Sequence, residues 1–181
     1  MMRSLRQIVA RFRRAARDDE GSLALDFVLV FPLIMMIFLA SFEAGMVMLR
    51  RVALERSLDV VVRDLRLGNY ENPTHDLIKL EMCENAWLLP NCFNSVRLEL
   101  RPVSRTTWDV FTNAAACVDR DEVLQPATTF VPGGENQLML IRACVVLDPF
   151  FPTTRLGLRL PLDATGAYQV VAMSAFVNEP D

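Results

Sequence analysis

Asp26 and Glu43 are the two side chains hardest to reconcile with their surroundings. Asp26 opens an apolar run, and Glu43 is the one charged residue between Phe27 and Leu49. A carboxylate at the centre of a hydrocarbon layer costs about 2.5–3.5 kcal/mol on insertion scales, and less near an interface. Asp26, at the mouth of the run, bears part of that cost unless a cation meets it. Glu43, near the far end, is expected to snorkel and pair with Arg50, with a contact between subunits that sets assembly register as the alternative. The other reactive side chains are the cysteines. Cys83, Cys92, Cys117 and Cys144 all follow the run, and none precedes it. An even count on one side of a membrane suits two disulfides in an oxidising compartment. Three pairings are open; Cys83 with Cys92 and Cys117 with Cys144 is preferred, because each closes a short local loop.

The elements that position these residues follow from hydropathy. The 52% hydrophobic content of the 181 residues is concentrated in the run, and the mean hydropathy is +0.24. Its twenty-three residues, Phe27 to Leu49, make about 34 Å of helix, enough for a hydrocarbon core of roughly 30 Å. With no polar face, it reads as a transmembrane helix rather than a core helix. Six arginines (3, 6, 11, 13, 14 and 17) precede it, as expected of a flank kept in the cytoplasm. Arginines on the other flank weaken that count, so orientation rests on the cysteines. Beyond Leu49, Leu54, Leu58, Val61, Val62 and Leu65 recur at helical spacing, which extends the helix as an amphipathic one. Gly68-Asn69 and Pro73 stop it.

The rest reads as a small domain. "THDLIKLEMCENAWLLP" predicts a short helix capped by Thr74 or Asp76 and ended by Pro90. "SVRLELRPV", "NQLMLIRACVVL" and "AYQVVAMSAFV" predict three strands, the second introduced by the Gly133-Gly134 turn. The expected architecture is α+β: a long transmembrane-plus-amphipathic helix, then an antiparallel-sheet domain. The boundaries are a basic leader 1–21, a span 22–49, an amphipathic extension 50–72 and a domain 73–181.

Catalytic signatures are absent. No phosphate-cradling glycine loop, G-x-S-x-G or H-E-x-x-H occurs, and no cofactor is expected. His75 lies beside Asp76 but without a nucleophile, so it reads as a solvated helix-start residue. It has no companion ligands for a metal. Trp87 and Trp108 read as core or rim aromatics. Without residues 1–21, which hold six basic and three acidic side chains, the net charge falls from −3 to −6, a surface that disfavours nucleic acid.

Gly21, Ser22, Asp26, Phe27 and Pro32 carry a resemblance. "GSLALDFVLVFPL" resembles the processing site of type IV pilin-like proteins, and more narrowly the TadE-like minor pseudopilins of the Flp (Tad) pilus apparatus. That family has an acidic-Phe pair opening the apolar helix and a proline several residues on. "FEAGMVMLRRVALERSLDVVVRDLR" is similar to its Glu-x-Gly and arginine-bearing helix, and "YQVVAMSAFVNEP" to its closing strand. Where the family usually has Glu, this chain has Asp26, one methylene shorter. The resemblance implies cleavage by a prepilin peptidase after Gly21, a glycine whose missing Cβ lets a protease approach the backbone. It leaves a new ammonium on Ser22. The ammonium and Asp26 are each costly alone in a low-dielectric bundle and tolerable as a pair. Such pairing, within one chain or between neighbours, would set subunit register, as polar groups do in coiled coils.

The expected partners are the prepilin peptidase, other pseudopilins, the inner-membrane pilus platform and membrane lipid. No nucleic acid and no small-molecule substrate are expected. The expected location is the bacterial inner membrane, single-pass, with the N-terminus cytoplasmic and the domain periplasmic. The alternative is a periplasmic or secreted ligand-binding domain released by signal peptidase. Against it, the run exceeds the ordinary length of a signal-peptide core and no small-x-small cleavage site follows. An anchored enzyme is a third reading, which no residue cluster supports.

Overall fold

The computed structural model describes residues 19–104, 106, 114–115, 117–122, 125, 128–152 and 161–179. Most of the basic leader and Trp108 lie outside the described residues. The chain divides into two compact units, Met1–Phe42 and Glu43–Asp181.

Helix α1 runs unbroken over Asp19–Arg66. In the first unit its side chains from 24 to 34 are all exposed, among them Phe27, Phe31 and Leu33. Phe27 and Phe31, one turn apart, stack with ring centroids at 5.0 Å. Pro32 has no N–H to give the Val28 carbonyl, yet the helix continues through it. The helix over Ala24–Arg66 contains a stretch long and apolar enough to cross a membrane.

In the second unit α1 changes character. Leu54, Leu58, Val61 and Val62 form a buried stripe that joins the main core. The helix stops in a Schellman motif: Gly68 N–H donates to the Leu65 carbonyl and Asn69 N–H to that of Asp64. Gly68 has φ of 68°, where a Cβ would crowd the backbone.

Helix α2 (His75–Glu84) is capped by Thr74, whose hydroxyl accepts from Leu77 N–H. It ends well before Pro90. Asn85 closes it, turns follow, and a one-turn helix α3 (Cys92–Ser95) begins after Asn91, which is left-handed at φ 50°. A proline bars helix for the residue before it, but here the local turn bonds end the helix earlier.

The three expected strands form one antiparallel sheet in the order β1 (Val96–Pro102), β2 (Leu138–Leu147), β3 (Tyr168–Val177). Strand β2 is central and buried on both faces. One face carries Leu98, Ile141, Val145 and Val170 into the core shared with α1 and α2. The other carries the directly paired Glu99 and Arg142, which form a buried ion pair. Residues 128–131 lie beside β1, with Leu100 bonded to both Thr129 and Val131. The disulfides join Cys83 to Cys92 and Cys117 to Cys144. The first ties α2 to α3; the second ties an irregular segment to the outer face of β2. The α+β class is the one read from the sequence.

Candidate functional site

The residues singled out in the sequence fall into two places. Gly21, Ser22, Asp26, Phe27 and Pro32 all lie in the first turns of α1. The backbone at Gly21 and Ser22 is helical there, so four residues, about one turn, separate Ser22 from Asp26 along a regular helix. Asp26 is exposed, on a segment whose apolar neighbours are exposed too. Among the side chains described at this end of the chain, Asp26 is a carboxylate at the head of an uncovered apolar rod, the property of a surface that packs against something else.

Glu43 belongs to a different place. It is 3% exposed, and its carboxylate accepts two backbone hydrogen bonds, from Phe150 N–H and Phe151 N–H, each at 3.1 Å. The expected partner, Arg50, turns elsewhere. Its Nη1 donates to the Asp148 carbonyl at 2.8 Å and to the Tyr168 hydroxyl at 2.6 Å. The guanidinium also lies over the Phe150 ring, 4.4 Å from its centroid. The pairing of Glu43 with Arg50 expected from spacing is therefore corrected. Each charge is met separately, Glu43 by two loop N–H groups and Arg50 Nη1 by the Asp148 carbonyl and Tyr168, while Arg50 Nε is buried without a hydrogen-bond partner among the described residues; a carboxylate can be met by N–H groups as well as by a cation.

That loop is pinned a third time. Arg120 donates to the Asp148 carboxylate at 2.5 Å and to the Val146 carbonyl at 3.2 Å. Burial raises the Tyr168 hydroxyl above its ordinary pKa, with the Arg50 hydrogen bond opposing it. The phenol is thus a neutral acceptor for Arg50 at any ordinary pH. Sequence reasoning named Arg50 only as a partner for Glu43, and missed Tyr168 and Asp148. One signal was available: Glu43, Arg50, Leu54, Leu58 and Val61 follow a spacing of seven, four, four and three, a single helix stripe.

His75 is also clarified. Its Nδ1 meets Asp76 Oδ1 at 2.9 Å and its ring meets Phe130 edge-on, while Nε2 is buried without a partner among the described residues. The histidine hydrogen bond is the first cause holding the Asp76 carboxyl below its ordinary value.

Residues 21–63 match the TadE-like protein family. The TadE-like segment starts at Gly21, takes in Asp26, Phe27, Pro32, Glu43 and Arg50, and ends within the buried stripe of α1. It spans under half of the chain and does not reach the closing strand β3. No curated protein and no solved structure matches this chain. The TadE-like match implies a protein associated with the Tad pilus, and the apolar α1 suggests membrane anchoring.

Proposed function

We propose that this chain is a membrane-anchored minor pseudopilin-like protein acting in assembly of an Flp/Tad-type adhesion pilus. A prepilin peptidase cuts it after Gly21. The observation that carries the reading is the start of the TadE-like match at Gly21, at the head of an exposed apolar helix that bears Asp26. Cleavage there removes the arginine-rich leader and leaves the Ser22 ammonium one helical turn from Asp26. Opposite charges one turn apart on a helix attract, and in an apolar bundle each needs the other. The role is assembly, not catalysis, and the partners are the peptidase, other pseudopilins and the inner-membrane platform. The protein sits single-pass in the bacterial inner membrane, N-terminus cytoplasmic and sheet domain periplasmic, where the disulfides persist.

Release by signal peptidase fits less well. A cut near the end of the apolar run would separate Glu43 from the domain whose loop it holds. Intact-mass and N-terminal analysis of membrane fractions tests the proposal. Cells with the peptidase should yield a chain beginning at Ser22, and cells lacking it a chain with the leader retained. A retained leader in both strains would refute it.

A further inference from the structure

The loop from Asp148 to Pro152 is held by three side chains from outside it, two of them on α1. Its N–H groups at 150 and 151 bind Glu43, its first carbonyl binds Arg50, and its first carboxylate binds Arg120. Glu43 directly follows Phe42 in the chain. From Ala24 to Phe42 the helix measures about 28 Å, close to a hydrocarbon core of roughly 30 Å. If the span instead runs to Leu49, Glu43 lies inside the outer boundary. In both cases Glu43, and with it the loop N–H groups that bond it, stands near the outer end of the span. Met48, Leu49 and Val52, on the next turns of the helix, are exposed apolar residues at 70%, 51% and 59%, as expected of a helix still leaving lipid.

The chemistry of the loop suits that depth. Burial in the protein takes water from the Glu43 carboxylate and the Arg50 guanidinium, so both need protein partners. The loop supplies both, with two N–H donors for Glu43 and a carbonyl for Arg50. It then presents Phe150, whose ring has Arg50 over it and is still 46% exposed. An apolar ring beside a cation is the composition of an interfacial anchor.

We propose that the Asp148–Pro152 loop is a membrane contact, with Phe150 seated in the outer interface of the bilayer that α1 spans. The inference depends on the span, which alkaline carbonate extraction checks separately.

The test uses the full chain in vesicles of phosphatidylethanolamine and phosphatidylglycerol. Photoreactive benzoylphenylalanine replaces Phe150 in one sample and Trp87, which is 83% exposed, in another. Illumination should give lipid adducts at position 150 and none at 87. Adducts to a second protein copy alone, or none, at position 150 would overturn the contact in carbonate-resistant samples; release by carbonate would overturn the span itself. Phe150→Trp gives a second reading: lipids brominated near the headgroup should quench its added fluorescence, and unchanged emission would contradict the proposal.

Discussion

Asp26 and Glu43 are the same functional group seventeen residues apart on one helix, and their surroundings give them opposite work. Asp26 is exposed, so the folded chain gains nothing from its charge. Glu43 is buried and accepts two N–H bonds. Truncating it strands two backbone donors, a loss of about 1–3 kcal/mol each where they remain away from water. The two acids should therefore separate assembly from stability. Asp26→Ala should leave the thermal unfolding midpoint of the detergent-solubilised chain unchanged while impairing fibre formation in cells. Glu43→Ala should lower the midpoint by several degrees. Glu43→Gln should recover part of the loss only, because an amide has one acceptor oxygen and turns a donor towards the second N–H. A midpoint unmoved by Glu43→Ala would mean that the loop is held without it.

At the scale of elements, much was legible because regular periodicity has local causes. The alternation of Val96, Leu98 and Leu100 with Arg97, Glu99 and Arg101 marks β1, and the structure buries the first set more deeply than the second. The stop at Gly68 is also local. The motif needs a residue at positive φ, and the sequence supplies glycine where the stripe ends. Gly68→Ala should cost about 1 kcal/mol, the usual penalty of a Cβ in the left-handed region. Chemical denaturation should show it as a lower midpoint with unchanged slope, since the exposed surface is the same. An equal or higher midpoint would mean that α1 ends differently. What stayed hidden depends on distant chain. Glu43 meets Phe150 across 107 residues, and no periodic pattern marks the receiving loop. The early end of α2 was hidden for a related reason: Pro90 is a visible signal, whereas turn bonds among Cys83, Ala86 and Leu89 leave none in the sequence.

At the scale of the whole molecule, the sheet domain is small and its two faces are secured differently. The inner face is covered by α1 and α2 and holds most of the core. Among the described residues, the outer face carries a minor cluster around Cys117, Cys144, Val146 and Ala167, plus the Glu99–Arg142 pair. The two disulfides differ in what they close. Cys83 and Cys92 are 9 residues apart, while Cys117 and Cys144 are 27 apart and join an irregular segment to the central strand. In the chain-entropy account the shorter loop contributes about 2.7 kcal/mol and the longer about 3.6 kcal/mol. The double replacement of Cys117 and Cys144 by serine should thus destabilise the domain more than that of Cys83 and Cys92. The gap should exceed the entropic difference, since serine hydroxyls at Cys144, 1% exposed, would be buried without guaranteed partners. Guanidinium titrations of the two variants measure it. Equal losses would mean that the outer-face segment keeps its place by packing alone, and that the tie to β2 acts elsewhere than in folding stability.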